Sequence, residues 1–401
     1  MPELRGHGRR LRVVTLIDKP DITGGGERMA VTLAMRLDPT RFESILCATR
    51  PSAGTTFERE LVDAGVRIVK LDRGSKLDLA SWRPLVSLLR RERIDVLHAH
   101  KFGSNLWGSV LGRLARVPVV VAHEQSWASA RYDLAGERVR AALDRIVISR
   151  LADAFIAVSD ADRKRMIEVE GIAPERIRVL PNAVPTPVPT GADLRRELGI
   201  ARDAPVVTTV CQLRPEKALE VLVDAASLLC AEFPDLKVLI AGDGIEAEPL
   251  RQRIEEKGLE DTVLLLGTRR DVPDVLVAAD IAVCCSDFEG TPLSMMEYMG
   301  VGLPVVATRV GGIPEMIDDG VHGLMFEKRN EQDLARALAR LIRDPEERRR
   351  MGTRAQERQR ERFDLDGATR WVERLYVELY STSKRGAAGG PDTVAAASDD
   401  R

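Results

Sequence analysis

The chain has 401 residues, of which 44% are hydrophobic and 30% are charged, and its formal net charge is -2. This length exceeds that of an ordinary single domain and predicts two domains. The near-neutral charge and an aromatic content of only 4% argue against nucleic acid as a partner. The five cysteines are scattered, which is typical of free thiols in a reducing compartment and not of a disulfide framework or a zinc site.

The first predicted strand covers residues 12–17 and ends at Asp18 and Lys19. The apolar run is too short for a typical signal peptide, and no stretch approaches the ~20 apolar residues of a membrane span. We therefore expect a cytoplasmic protein. A peripheral contact with the inner membrane face stays open. Residues 131–150 form an arginine-rich amphipathic segment, which fits either a membrane-surface helix or, more simply, a solvated helix face.

Short runs rich in Val, Ile and Leu alternate with amphipathic helical patterns along both halves of the chain. Nearly continuous apolar strands separated by helices predict parallel sheets that are covered on both faces. The fold class is therefore α/β, with two doubly wound, Rossmann-like domains. The remaining predicted strands cover residues 44–49, 67–71, 96–100, 118–122, 154–158, 178–180, 206–213, 237–241, 263–266, 281–285 and 304–307.

A proline-rich segment, residues 181–190, separates the two halves with four prolines in ten residues. Proline excludes a regular helix or a central strand there, which predicts a stiff linker. We place the N-terminal domain at residues 1–184 and the C-terminal domain at residues 185–364. A helix is predicted over residues 365–383, and the Gly-, Ala-, Ser- and Asp-rich tail, residues 384–401, is predicted to be disordered.

Candidate binding residues follow several of these strands, at the sheet edge where doubly wound domains bind ligands. Gly24 and Gly25 follow the first strand and would let a ligand approach the backbone, although a simple flexible turn fits equally well. Arg214 and Lys217 follow a strand and precede a helix. Cations there oppose the helix dipole, which favours an anion-binding site over ordinary surface cations.

Three histidines form a second candidate group. His98 and His100 alternate along one strand and His123 follows the next, so a metal site is one interpretation. No carboxylate or cysteine is spaced to complete it, and a buried structural role is the simpler interpretation for His98. His123 is the better candidate for a polar contact in a cleft. The later sequence Gly242-Asp-Gly244 fits a tight turn better than a dinucleotide-binding fingerprint.

The most informative stretch runs from Glu289 to Glu297. Thr291 suits a helix N-cap and Pro292 suits the first helical position, so the two carboxylates flank the start of a helix. Carboxylates accept hydrogen bonds from hydroxyl groups, and the N–H groups of a helix start bind phosphate. A nucleotide-sugar combines both chemistries. The downstream sequence Gly311-Gly312-Ile-Pro-Glu315 is typical of a plain turn.

Taken in order, these motifs resemble the GT-B fold glycosyltransferases of family 4, also called glycosyltransferase group 1. The resemblance extends over residues 12–380. It departs from the family pattern at two places, where Ala183 and Cys211 replace common glycines. It rests on Gly24-Gly25-Gly26-Glu27-Arg28, Asp95-Val-Leu-His-Ala-His100, Val-Val-Val-Ala-His123, Leu180-Pro-Asn-Ala-Val184, Arg214-Pro-Glu-Lys217, the stretch from Phe288 to Glu297, Gly302-Leu-Pro-Val-Val and Gly311-Gly312-Ile-Pro-Glu315.

The resemblance implies an interdomain cleft, a C-terminal helix that crosses back onto the N-terminal domain, and a role for each candidate residue. Glu289 would contact the donor sugar, and Glu297 the ribose diol. Arg214 and Lys217 would hold the diphosphate together with backbone N–H groups around Thr291, Leu293 and Ser294. His123 would lie near the reaction centre, and Gly24 and Gly25 would border the diphosphate and the acceptor.

The implied activity is retaining transfer of a sugar from a UDP- or GDP-sugar to a hydroxyl of a glycan, lipid-linked or small-molecule acceptor. Such a reaction belongs to glycan, glycolipid or polysaccharide biosynthesis. No cofactor is expected, and no Asp-x-Asp motif is expected after a strand to hold a metal. A sugar-nucleotide epimerase, a phosphorylase or a catalytically inactive binding module with the same fold are the alternatives.

Overall fold

Two parallel sheets, each with helices packed on it, form the protein. The computed structural model describes residues 9–20, 25–51, 57–74, 78, 80–125 and 142–383. Strands such as Val96–His100 are buried along their whole length, as expected for a sheet covered on both faces. The predicted α/β class with two Rossmann-like domains is confirmed.

The first sheet has the strand order β3-β2-β1-β4-β5-β6-β7, with every described pair parallel. Its strand order reverses between β1 and β4, which is where doubly wound sheets open a crevice. The elements are β1 Leu11–Ile17, α1 Gly25–Arg36, β2 Phe42–Ala48, α2 Glu58–Asp63, β3 Arg67–Lys70, α3 Arg83–Arg91, β4 Val96–His100, α4 Lys101–Leu114, β5 Val119–His123, α5 Ser149–Leu151, β6 Ala154–Ala157, α6 Asp160–Glu168 and β7 Ile177–Val179.

The second sheet has the order β10-β9-β8-β11-β12-β13 and is likewise parallel. Its edge strand β13, Gly323–Phe326, is absent from the sequence prediction because it is only four residues long and directly follows a turn that contains Gly320. The other elements are α7 Leu194–Glu197, β8 Val206–Val210, α8 Leu219–Leu229, β9 Lys237–Ala241, α9 Ala247–Glu256, β10 Val263–Gly267, α10 Val272–Val277, β11 Ile281–Cys284, α11 Leu293–Gly300, β12 Val305–Thr308, α12 Ile313–Met316, α13 Glu331–Arg343 and α14 Pro345–Arg362.

The last described helix, α15 (Leu365–Thr382), leaves the C-terminal domain and packs on the first sheet. Its apolar side chains Val372 and Tyr376 lie in one core cluster with Val13 of β1 and Val96 of β4. An isolated bridge between Val184 and Asp364 brings the linker beside the start of this helix. The crossover implied by the resemblance is therefore present in the structure. The exact domain boundaries stay a prediction.

The five cysteines are free thiols in the structure, as expected. Cys284 and Cys285 belong to different core clusters on opposite faces of the second sheet, as their adjacent positions predict. No helix within the described ranges is both long and apolar enough to cross a bilayer. The predicted disordered tail lies outside the described residues, as does most of the amphipathic segment over residues 131–150.

Candidate functional site

The carboxyl ends of the two sheets face each other across a narrow cleft. The start of α1 and the start of α11 approach closely, because a Cβ placed on Gly25 would lie 3.6 Å from Cγ of Leu293. Gly290 approaches the opposite wall in the same way, and its Cβ would lie 2.9 Å from a methyl of Val158. The predicted glycine loop, the histidine strands and the Glu289–Glu297 stretch therefore border one space. Gly24 lies outside the described residues.

Lys217 and Glu289 form an ion pair on the C-terminal wall. Lys217 ends a 3-10 turn, Pro215–Lys217, and its Nζ contacts Oε1 of Glu289, which also accepts a hydrogen bond of 2.7 Å from Ser286 Oγ. Burial alone lowers the pKa of Lys217, but the carboxylate of Glu289 outweighs it and raises that pKa above its usual value. Lys217 is thus charged at neutral pH, and the structure holds the two predicted residues together.

Arg214 differs from Lys217 although both follow the same strand. Its side chain is 55% exposed, and its nearest carboxylate, Glu216, is 3.8 Å away. Such an exposed pair contributes little stability, so the guanidinium can turn towards a ligand at small cost. The predicted pair of cations therefore consists of one anchored lysine and one movable arginine.

The turn at Gly242 and Gly244 supports the backbone segment that carries Arg214. A Cβ on Gly242 would lie 1.8 Å from the carbonyl oxygen of Cys211, and one on Gly244 would lie 2.2 Å from that of Leu213. Only glycine fits at either position. The interpretation as a tight turn is confirmed, and this turn packs directly on the carbonyl groups of Cys211 and Leu213.

Helix α11 begins at Leu293, with Pro292 as its N-cap residue and no side-chain cap. The predicted N-cap role of Thr291 and first helical position of Pro292 are therefore wrong, since the helix begins one residue later. The hydroxyl of Thr291 instead accepts a hydrogen bond from the Asn182 backbone N–H at 3.2 Å. The first N–H groups of the helix, including those of Leu293 and Ser294, have no intrahelical acceptor. Tyr298 anchors the helix to β8 by donating to Val210 O at 3.1 Å and accepting from Val210 N at 2.7 Å. The structure thus presents a fixed helix N-terminus to the cleft.

Glu297 lies in the second turn of α11 and is 8% exposed. Its Oε1 accepts from Nη1 of Arg28 at 2.7 Å, an ion pair between the two domains. Arg28 belongs to one of the motifs that carry the family resemblance, but the sequence assigns it no role. Its position near Glu297 depends on how the domains meet, which no local pattern encodes.

The three histidines pack together, fully buried, on the N-terminal wall. His98 and His123 stack with ring centroids 5.3 Å apart, and His100 lies 4.8 Å from His123. Tyr376 of α15 lies 2.6 Å from Nδ1 of His98, and Gln125 lies 3.2 Å from Nδ1 of His100. Burial lowers the pKa of His98 to about 3 and lowers the pKa values of His100 and His123 well below their usual range. The cluster is therefore neutral at physiological pH.

The same cluster is the group that most resembles a metal site among the described residues. Its ring nitrogens lie within 4.8 Å of one another. The group consists of these three histidines alone, and no carboxylate or cysteine of the described residues belongs to it. Their stacked, neutral rings fit the structural role that the sequence favours for His98. His123 is enclosed in this stack, and the predicted contact of its side chain with a ligand stays a prediction.

One Asp-x-Asp sequence does follow a strand, contrary to our expectation. Asp160 and Asp162 open α6, directly after β6. Asp162 accepts from Ser159 Oγ at 2.8 Å, and burial raises its pKa despite that bond. The motif therefore opens a helix whose N-cap is Ser159, and the carboxylate of Asp162 accepts from the hydroxyl of that cap residue.

Two further contacts between the domains have no counterpart in the sequence predictions. Glu315 caps α6 from the opposite domain, since its carboxylate oxygens accept from the backbone N–H groups of Asp160 at 2.7 Å and Ala161 at 2.8 Å. The predicted turn is present and leads into the short helix α12, with its proline in the first turn, but the contacts of Glu315 go beyond the role of a plain turn. Asn182 donates from Nδ2 to Thr291 O at 3.0 Å, which joins the linker to the loop before α11.

The chain matches two family models. Residues 23–187 match the model described as "Glycosyltransferase Family 4", and residues 192–358 match the one described as "Glycosyl transferases group 1". The chain is 32% identical over 343 residues to the D-inositol 3-phosphate glycosyltransferase of Corynebacterium glutamicum (strain R), covering 78% of this chain and 81% of that relative. It is 28% identical over 275 residues to the UDP-Gal:alpha-D-GlcNAc-diphosphoundecaprenol alpha-1,3-galactosyltransferase of Escherichia coli, covering 67% and 71%.

Solved structures share the whole architecture. Anabaena Alr3699/HepE in complex with UDP and glucose aligns with a TM-score of 0.79 at 23% identity, covering 92% of this chain and 100% of that chain. Sucrose-phosphate synthase (tll1590) from Thermosynechococcus elongatus aligns with a TM-score of 0.80 at 21% identity, covering 93% and 100%. At these identities the likeness shows the fold, which is the predicted GT-B arrangement.

Proposed function

We infer that this chain, which belongs to the family 4 (group 1) glycosyltransferases, transfers a sugar from a nucleoside diphosphate sugar to an acceptor hydroxyl. One observation carries the inference: a single wall of the cleft combines an anchored cation, a movable cation, two carboxylates and the start of α11. Relatives whose names state the reaction are glycosyltransferases, and one of them is named for a UDP-linked galactose donor.

The diphosphate is assigned to the start of α11. Lys217 and Arg214 contribute positive charge there, and the backbone around Thr291, Leu293 and Ser294 contributes N–H groups at the positive end of the helix dipole. Because the N–H groups are fixed by the fold, they need no rearrangement when the phosphate gains charge. Glu297, deeper in the helix, is assigned to the two ribose hydroxyls.

The chemical step is departure of the nucleoside diphosphate from the anomeric carbon. Negative charge grows on the phosphate oxygen as the glycosidic bond breaks, and donors placed at that oxygen stabilise the transition state. Glu289 is assigned to hydroxyls of the transferred sugar, with Lys217 linking it to the phosphate. A retaining outcome and metal independence complete the proposal. The positive charges of Lys217 and Arg214 support metal independence, because they can do the work of a divalent ion.

The N-terminal wall is assigned to the sugar and the acceptor. The neutral histidines, His123 first among them, offer ring nitrogens to hydroxyl groups without adding charge. Gly25 is assigned to the border between the diphosphate and the acceptor, and the same role is proposed for Gly24, which lies outside the described residues. The acceptor is a hydroxyl of a glycan, a lipid-linked saccharide or a small molecule. The names of the relatives include both a diphosphoundecaprenol-linked sugar and inositol 3-phosphate.

Thermal shifts with UDP and GDP test the proposal first. A ligand present at ~100 times its dissociation constant stabilises the folded state by about 2.7 kcal/mol, which is readily visible. A panel of sugars on the stabilising nucleotide then identifies the donor. NMR of the glycoside product reports retention or inversion. A chelator should leave turnover unchanged. Absence of any shift with either nucleotide would contradict the proposal.

A further inference from the structure

The ion pair between Arg28 and Glu297 joins the two walls of the cleft. Arg28 lies in the first turn of α1, in the N-terminal domain, and its Nη1 is 2.7 Å from Oε1 of Glu297. Under the proposed function, Glu297 binds the ribose. A cation from the opposite domain therefore occupies an oxygen that a ribose diol needs.

Burial explains why Glu297 requires this partner when no donor is bound. Its side chain is 10% exposed, and a buried carboxylate without a partner is strongly unfavourable. The side chain of Arg28 is 37% exposed. The guanidinium can therefore leave Glu297 and remain solvated, whereas the carboxylate cannot easily remain alone. A ligand that supplies hydroxyl donors to Glu297 removes the need for Arg28.

The new position of Arg28 follows from the local geometry. Gly25, which opens the same turn of α1, faces Leu293 at the start of α11. In the proposed function, the phosphates of a donor lie at that helix start, and they are joined to the ribose through its 5′ oxygen. A released guanidinium thus stands beside the phosphate oxygens, with which arginine forms two parallel hydrogen bonds.

We propose that Arg28 is a donor-binding residue supplied by the N-terminal domain: it holds Glu297 in the free protein and moves to the diphosphate when ribose takes Glu297. The proposal rests on the proposed function. It distinguishes two ligands. A nucleoside competes with Arg28 for Glu297 and gives the guanidinium no new partner. A nucleoside diphosphate competes in the same way, but its phosphates become the new partner of the guanidinium.

The test measures dissociation constants of uridine and UDP, and of guanosine and GDP, for the wild type and Arg28→Gln. Arg28→Lys keeps the charge without the forked geometry. Arg36→Gln is the matched control on the same helix, since Arg36 pairs with Asp366 far from the cleft. In Arg28→Gln the ratio of nucleoside to nucleoside diphosphate dissociation constants should fall about tenfold or more. The nucleoside should bind at least as tightly as to the wild type. Arg28→Lys should lie between the two, and Arg36→Gln should match the wild type.

An unchanged ratio in Arg28→Gln would overturn the assignment while leaving the proposed function intact, and the separate dissociation constants say why. If neither constant changes, Arg28 does not reach the phosphates. If both ligands bind equally more tightly, Arg28 is a blocking residue only, and if both bind equally more weakly, it is a structural residue. Failure of UDP and GDP to bind the wild type would instead overturn the proposed function, and this proposal with it.

Discussion

The two walls of the cleft differ in how many charged side chains they carry. The C-terminal wall carries charge in pairs, with Lys217 held against Glu289 and the start of α11 beside them. The N-terminal wall, around His98, His100 and His123, is buried and neutral because desolvation suppresses protonation of its rings. A charged diphosphate and an uncharged sugar need these two environments. Under the proposed function, this difference would let one cleft hold both ends of the same donor.

Substitution of Lys217 should have the largest effect on turnover, because it removes the anchored cation of the C-terminal wall. Under the proposed function, Lys217→Met takes away a fixed donor near the leaving phosphate, and turnover should fall ~10²–10³-fold. The substitution also leaves Glu289 without its cation, so the free energy of unfolding should fall. The double variant Lys217→Met/Glu289→Gln should regain stability but not turnover. Unchanged turnover in the single variant, measured with the donor identified by the panel, would remove Lys217 from the mechanism.

The buried, neutral histidines of the N-terminal wall should make the free energy of unfolding depend on pH. The unfolded chain protonates its histidines near pH 6.5, whereas burial keeps these rings neutral, with the pKa of His98 at about 3. The contribution of these neutral rings to the free energy of unfolding is therefore fully present above pH 6.5 and is lost as the pH falls below 6.5. Each ring contributes up to about 1.4 kcal/mol per pH unit in that range.

Urea unfolding at pH 7.5, 6.5 and 5.5 measures this dependence. His98→Gln should reduce the slope, whereas substitution of the exposed and weakly paired Lys164 on α6 should not. Stability that is flat across this range would mean that the rings are protonated in the folded state, and the contrast between the walls would fail.

Arg214→Gln probes the movable cation of the charged wall. A hydrogen bond to a charged group is worth about 1.5–3 kcal/mol, so turnover should fall about 10- to 100-fold. Because Arg214 is exposed and weakly paired in the free protein, the free energy of unfolding should change by no more than ~0.5 kcal/mol. Loss of stability comparable to that of Lys217→Met would show that the two cations are equivalent, contrary to the structure.

Glu315→Gln tests the contact that holds the walls together at α6. The amide keeps one acceptor but loses the charge that favours a helix N-terminus, so stability should fall by about 0.5–1 kcal/mol. Glu327, an exposed carboxylate on the C-terminal domain, offers the control substitution. A loss of stability larger than that of Lys217→Met would mean that the cap at α6 matters more to folding than the buried ion pair.

Much of the fold could be predicted from the sequence because buried parallel strands are apolar along their length. Residues 96–100 and 237–241 were predicted with the bounds that the structure shows. The residues that follow each strand could also be predicted as cleft residues, since the topology sends strand ends to one edge. Thr291 was misassigned because a local capping rule competed with a hydrogen bond to Asn182, 109 positions away.

The contacts between the walls could not be predicted. Glu315 and Asp160 are 155 positions apart, and their hydrogen bond forms only where the two domains meet. The pairing of Arg28 with Glu297 has the same origin. No periodicity or spacing links such residues, because periodicity reports the face of one element and not the element that it meets.

The most direct test of the central claim, that the Glu289–Glu297 stretch holds the donor nucleotide, is a calorimetric cycle. It compares the preferred nucleoside diphosphate with its 2′,3′-dideoxy form on the wild type and on Glu297→Gln. The wild type should lose about 1.5–3 kcal/mol of binding free energy with the dideoxy ligand, whereas the variant should bind both forms equally. Equal binding of the two forms by the wild type would contradict the account.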